Sequence, residues 1–202
     1  MTVSPIEIER DEGVVLRGEI EGESDRWAIL LHDFGGDLDN WKPMRRKLIS
    51  AGVKVFSLDL RGHGASDGEW SPEATIGDIE ASIRHCRFAN AKSVYLIGAG
   101  QAATASIVAA GEEVVQALVC LSPVLELEGI DSSRLRVSRA PKLFTVGASN
   151  IEAMRAAQAL YRKMLGWRML ESRAVEEQGT DLLNGPGSEH IFEKTVGFLK
   201  SY

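Results

Sequence analysis

The sequence predicts an α/β protein with a mostly parallel central sheet and helices on both faces. Strand-like and helix-like segments alternate along the chain. The strand-like segments, such as WAILLH and ALVCL, are continuously apolar, which is typical of parallel strands buried on both faces. The chain has 202 residues, 44% of them hydrophobic, which is enough for a sizeable core. We therefore expect one domain, residues 1–202.

Apolar runs bounded by glycine, proline or short polar residues predict the strands. In chain order they are residues 14–20, 27–32, 53–58, 93–97, 117–121, 142–146 and 167–173. The loops DFGGD and DLRGHGASDG follow the second and third of these strands and are too rich in glycine for regular structure.

Amphipathic or alanine-rich segments between the strands predict the helices. They are residues 41–51, 75–88, 101–110, 151–165 and 188–199. Ser188 is the expected N-cap of the last helix, because serine at that position can accept a hydrogen bond from a free backbone amide.

The unusual loops of this pattern all follow predicted strands. They come after His32, Asp59, Ile97, Leu121, Val146 and Arg173. The carboxyl ends of parallel strands meet at one edge of a sheet, where ligands of α/β proteins bind. We therefore expect the functional site at this edge.

Composition excludes several classes of partner and cofactor. The 23 basic and 29 acidic residues give a net charge of -6 without a basic cluster, so we expect no nucleic-acid partner. No apolar stretch is long enough to span a membrane, and the N-terminus has no leader pattern, so we predict a cytoplasmic protein. Cys86 and Cys120 are expected to be reduced core residues. No metal-ligand spacing, phosphate loop or dinucleotide motif is present, and we expect no metal or other cofactor.

Three segments resemble the α/β-hydrolase superfamily of esterases and lipases. They are LLHDFGGDLDNW, similar to its oxyanion loop, VKVFSLDLRGHGASDG, similar to its next strand and loop, and VYLIGAGQAATA, similar to its nucleophile elbow. The resemblance extends over nearly the whole chain and implies the α/β-hydrolase fold. Residues 122–140 leave no room for a large lid.

The positions that match the catalytic triad carry other residues. The elbow G-x-S-x-G is here GAGQA, so Gly100 replaces the serine nucleophile. Asn150 stands where the family has its aspartate, and Gln178 precedes GTDLL where the family often has its histidine. Glycine has no hydroxyl, and glutamine accepts no proton at neutral pH. The simplest interpretation is a pseudo-hydrolase in which these three positions are non-catalytic.

The resemblance also implies an oxyanion hole made of the backbone amides of Gln101 and Phe34. Such a hole without a nucleophile could bind a small acyl or carboxylate ligand, and Phe34, Trp41 and Trp70 could line an apolar wall. Asp33 either presents its carboxylate to the pocket or, as we prefer, bonds loop amides. A protein partner or a homo-oligomer is also compatible with this interpretation.

The alternative hypothesis is an esterase-like hydrolase that uses non-standard residues. Asp33 and His190 around a water molecule would then supply carboxylate and base. His32 and His63 match structural positions of the family, and His85 lies in a helical pattern away from the strand ends. Residues such as Ser122, Glu126 and Asp131 follow a strand from which some members take their acid, while Arg134, Arg136 and Arg139 are expected on a solvated loop.

Overall fold

The computed structural model describes residues 2–185 and 187–202. Its strands are β1 (Val3–Glu9), β2 (Val15–Glu21), β3 (Arg26–Leu31), β4 (Lys54–Leu58), β5 (Ser93–Ala99), β6 (Ala117–Leu121), β7 (Lys142–Gly147) and β8 (Arg168–Arg173). Its α-helices are α1 (Lys42–Ser50), α2 (Pro72–Phe88), α3 (Gly100–Glu112), α4 (Ile151–Lys163) and α5 (Ser188–Lys200).

All eight strands belong to one sheet, in the order β1-β2-β4-β3-β5-β6-β7-β8. The strands from β4 to β8 in this order pair in parallel, whereas β1 and β2 pair antiparallel at one end. The chain passes from β3 outward to β4 and then returns to the other side of β3 as β5. This reversal opens a crevice between the loops after β3 and β5, which is where ligands bind in open α/β sheets.

Helices cover both faces of the sheet, as the sequence predicts. One face packs against α2, α3 and α4, with Ile79, Ile107 and Leu160 fully buried among the strand residues. The other face packs against α1 and α5, where Leu48 and Phe198 are buried. The predicted α/β fold with a mostly parallel sheet is confirmed. No large lid lies between β6 and β7, where the described chain forms only the short 3-10 helix Arg134–Arg136.

Two sequence predictions differ from the structure. Strand β1 is absent from the sequence prediction, since its segment VSPIEIE contains a proline and charged residues and is not a continuous apolar run. It forms at the sheet edge, where proline and exposed side chains are tolerated. Ser188 is not the N-cap of α5: Gly187 holds that position in the left-handed conformation, and Ser188 is the first helical residue. A left-handed backbone is easiest for glycine.

Within residues 2–185 and 187–202, none of the helices combines the length and the apolar composition that crossing a membrane requires.

Candidate functional site at the nucleophile elbow

Asp33, directly after β3, accepts hydrogen bonds from both amides of the expected oxyanion hole. Its Oδ1 is 2.8 Å from the amide nitrogen of Phe34 and 2.9 Å from that of Gln101. Gln101 lies in the first turn of α3, whose N-cap residue Ala99 supplies no side-chain cap. The Asp33 carboxylate therefore caps α3 from a distant part of the chain. Negative charge is favourable there because free N–H groups and the helix dipole make this end positive.

Gly100 is compatible with this arrangement because it has no side chain. Its φ of +52° lies in the left-handed region, as expected for the sharp strand-to-helix turn. A Cβ built on Gly100 would overlap the Asp33 carboxyl group, well inside the 3.0 Å that real Cβ atoms keep from their neighbours. The carboxylate thus occupies the space that the nucleophile side chain of a serine hydrolase requires.

The backbone of Asp33 is fixed by His32. The Nδ1 of His32 is 2.7 Å from the Asp33 carbonyl oxygen, and its Nε2 accepts the amide of Leu60 at 2.9 Å. Because Nε2 must accept, the proton lies on Nδ1 and the ring is neutral. Burial lowers the pKa of His32 and favours this neutral form. His32 is therefore held as a structural residue.

His63 has the same kind of contacts in the next loop. Its Nε2 accepts the amide of Gly35 at 2.9 Å, and its Nδ1 is 3.0 Å from the carbonyl oxygen of Arg61. Asp59 holds the same loop by accepting the amides of Leu38 and Ala65, both at 2.8 Å. Both nitrogens of His63 are engaged with backbone groups, so the ring links two loops.

The guanidinium of Arg61 also anchors this loop. It pairs with the fully buried Asp78 of α2 at 2.5 Å and 2.7 Å. Arg10 pairs with the same carboxylate at 2.9 Å. Two arginines thus compensate the buried negative charge of Asp78, which would otherwise be costly.

Asn150 and Gln178 lie at the same sheet edge and are both bound to backbone. The Oδ1 of Asn150 accepts the amide of Ala153 at 3.0 Å and so caps α4. The Nε2 of Gln178 donates to the carbonyl oxygens of Glu176 at 2.9 Å and Gly147 at 3.3 Å. Neither contact is one that acid–base chemistry needs.

One cavity of about 320 Å³ brings Asp33, Gly100, Asn150 and Gln178 together. Its other lining residues are Ser122, Pro123, Val124, Leu125, Glu152, Ala153 and Ala156. Ser122 follows β6, is 7% exposed and adopts a φ of +48°, which is rare for a residue with a side chain. From the sequence, Ser122 is only one of several residues that follow a strand, because a serine in the sequence does not indicate a left-handed backbone.

Other predicted site residues lie outside this lining. Phe34 is 58% exposed, and its ring contacts those of His63 and Trp70 with centroids 5.2 Å and 5.0 Å away. Trp41 is fully buried in the core beneath α1, so it differs from the predicted place on the pocket wall. It belongs to the buried hydrophobic cluster that includes Leu48 and Phe198. His190 faces Glu171 of β8 across 3.7 Å and is not part of the cavity lining.

The remaining candidates are also accounted for by their surroundings. Glu126 and Asp131 line a different surface groove, and Arg134 pairs with Glu73 at 2.6 Å. Burial raises the pKa of Cys86 and of Cys120 to about 12, so both thiols stay protonated. In the part of the chain that the structure describes, no three His, Cys, Asp or Glu side chains form a group that could hold a metal ion.

The fold and the elbow define a hydrolase-type scaffold, and comparison with known families agrees. Residues 28–194 match the model of the alpha/beta hydrolase family. The chain therefore belongs to the alpha/beta hydrolase family.

Similar proteins include several esterases of known structure. The esterase Pf2001 of Pyrococcus furiosus is 17% identical with a TM-score of 0.82, over 99% of this chain and 90% of that chain. The α/β hydrolase GrgF of a Penicillium species is 15% identical with a TM-score of 0.85, over 100% and 99% of the two chains. An esterase of Exiguobacterium antarcticum is 15% identical with a TM-score of 0.78, over 96% and 98%. At these identities the likeness concerns the fold.

A shorter match in sequence involves a larger protein. A segment of 48 residues, 24% of this chain, is 44% identical to the dihydrolipoyllysine-residue acetyltransferase component of the acetoin cleaving system of Pseudomonas putida. The match spans only 13% of that protein's length.

Proposed function

We propose that this chain is a catalytically silent member of the alpha/beta hydrolase family whose elbow cavity binds rather than hydrolyses its ligand. One observation carries the proposal: the Asp33 carboxylate occupies both oxyanion-hole amides and the space above Gly100. An ester carbonyl would have to displace this charge before it reached the hole. Even then it would meet no hydroxyl on residue 100.

The substituted triad positions support the same conclusion. Asn150 is engaged as a helix cap, and Gln178 donates to two backbone carbonyls. A working triad needs a base that accepts the nucleophile's proton and a carboxylate that orients that base. Asn150 and Gln178 supply neither group at this position.

The alternative of an esterase with non-standard residues loses its base in this arrangement. It requires His190 to act with Asp33, but His190 lies beside Glu171 rather than in the cavity lining. A carboxylate without a nearby base or nucleophile contributes little to ester hydrolysis.

A screen of p-nitrophenyl esters together with a fluorophosphonate probe tests the proposal. The wild-type protein should neither turn over esters above background nor become labelled, and His190→Ala should match it. Turnover that is abolished by His190→Ala or by Asp33→Asn would overturn the proposal and support the unorthodox enzyme. Circular dichroism of each variant shows that the proteins compared are folded.

A further inference from the structure

Three oxygen atoms on residues that line the elbow cavity have no hydrogen-bond donor among the described residues, and two of the three are buried. The Oγ of Ser122 and the Oε1 of Gln178 are buried without a hydrogen bond within the described part of the chain. Asp33 uses its Oδ1 for the two amides, and no group of the described residues donates to its Oδ2. A buried polar atom without a partner is costly, so a ligand or water that supplies a hydrogen bond to it is favoured.

The backbone at Ser122 is also unusual. A buried residue with a side chain is held at a φ of +48°, while its amide donates to the carbonyl of Thr145 at 2.8 Å. Strain of this kind concentrates at ligand sites, where it positions a side chain. Ser122 is one of the residues that line the cavity.

The charge of the lining selects the sign of the ligand. Asp33 and Glu152 contribute carboxylates, and among the described residues no lysine, arginine or histidine lines the cavity. A carboxylate ligand would find the two amides already occupied by Asp33, and it would be repelled by the acidic residues Asp33 and Glu152 of the lining. A group that donates hydrogen bonds and carries positive charge is favoured instead.

The rest of the lining fits a short apolar body. Its members are Pro123, Val124, Leu125, Ala153 and Ala156. The volume of about 320 Å³ lies at the lower end of the range for small-molecule sites. A small ligand with one polar end and a short hydrocarbon chain suits this combination.

We propose that the elbow cavity binds a small primary alkylammonium ion, with its three N–H donors shared among Asp33, Gln178 and Ser122. Its alkyl chain lies against the apolar wall between Pro123 and Ala156. This inference rests on the proposed function, because it requires Asp33 to remain in the oxyanion hole. It involves no covalent step.

Isothermal titration calorimetry with n-butylammonium, n-butanol and butyrate tests the proposal near neutral pH and at low salt. We expect saturable binding of n-butylammonium only. Asp33→Asn keeps an oxygen for the two amides but replaces the second acceptor by a donor, so it should weaken binding by about tenfold or more. Ser122→Ala should weaken it by about threefold to tenfold.

Asp131→Asn is the matched control, because Asp131 lies in a different acidic groove with Glu126 and Glu128. It should leave the affinity for n-butylammonium unchanged. Absent binding by folded wild-type protein, equal binding of butyrate, or equal weakening by Asp131→Asn would each overturn the proposal. Ester turnover is measured separately. Ester hydrolysis would contradict the proposed loss of catalysis, whereas absent n-butylammonium binding would contradict only the binding proposal.

Discussion

The carboxylate of Asp33 and the amide of Gln101, 68 residues apart in the chain, are joined by a hydrogen bond of 2.9 Å at the start of α3. In a serine hydrolase this amide stabilises an oxyanion that exists only during the reaction. Here the amide of Gln101 donates instead to the carboxylate of Asp33. This contact is the basis of the proposal that the chain is catalytically silent.

The first prediction concerns the stability that this contact provides. Asp33→Ala should lower the free energy of unfolding by about 1–3 kcal/mol, because two amides lose a charged acceptor. Asp33→Asn retains an acceptor oxygen and should cost clearly less. Urea denaturation measures both variants, and equal stability of Asp33→Ala and wild type would contradict the assigned role.

The second prediction concerns the overlap above Gly100. Gly100→Ala should destabilise the wild-type protein by more than about 2 kcal/mol, since the new Cβ meets the Asp33 carboxyl in addition to the unfavourable φ. In an Asp33→Gly background only the backbone cost should remain, about 1 kcal/mol. A double-mutant cycle measures the difference, and strictly additive effects would show that the two positions do not meet.

The third prediction concerns His63. His63→Ala removes an acceptor for Gly35 and a donor for Arg61, so the melting temperature should fall by several degrees. His190→Ala is the control, because its contact with Glu171 spans 3.7 Å and it should have little effect. An unchanged melting temperature of His63→Ala would contradict the structural role assigned to His63.

The fourth prediction concerns Lys142, the fully buried first residue of β7. Its Nζ donates to the carbonyls of Ser138, Ala140 and Leu165 at 2.9, 2.7 and 3.2 Å, and burial lowers its pKa to about 8 from 10.5. Between these values the unfolded chain binds the proton and the native state has released it. Native stability from this residue therefore rises with pH across that window.

Comparison with Lys142→Met isolates this effect, since groups such as the buried thiols titrate in both proteins. Relative to the variant, the wild type should gain stability by up to about 1.4 kcal/mol per pH unit between about pH 8 and about pH 10. Urea denaturation at several pH values measures the difference. A difference that stays constant, or that shrinks as pH rises, would contradict a lowered pKa.

Much of this arrangement is accessible from the sequence because it depends on local patterns. Continuous apolar runs identify the buried strands, and the glycine-rich elbow and loops fix where they end. The loops of Asp33, Gly100, Asn150 and Gln178 follow parallel strands, so their meeting at one edge follows from topology.

The sequence does not show which contacts form between residues that are far apart in the chain. Whether Asp33 bonds amides or lines the pocket depends on the separation of two loops. In the structure its Oδ1 accepts both amides, and the residue also belongs to the cavity lining. Strand β1 forms because an edge is available for it, and Lys142 is buried because three carbonyls converge on its amine. None of these facts is encoded in a nearby residue pattern.

Restoring the serine-hydrolase residues tests the central claim, that the Asp33 carboxylate occupies the space of the nucleophile side chain and fills the oxyanion hole. Gly100→Ser, Asn150→Asp and Gln178→His together return hydroxyl, acid and base, but the new serine would still meet the Asp33 carboxylate. Adding Asp33→Gly removes the carboxylate from the space above residue 100 and frees the amides of Phe34 and Gln101. Gly100→Ser alone should stay inactive, because its hydroxyl has no base.

The deciding measurement is the rate at which a fluorophosphonate probe labels residue 100, in the folded triple variant and in the same variant with Asp33→Gly. The account predicts that the quadruple variant, which includes Asp33→Gly, becomes labelled. The triple variant should be labelled little, and Gly100→Ser alone should not be labelled. Labelling of the triple variant as fast as that of the quadruple variant, or no labelling of a folded quadruple variant, would contradict it.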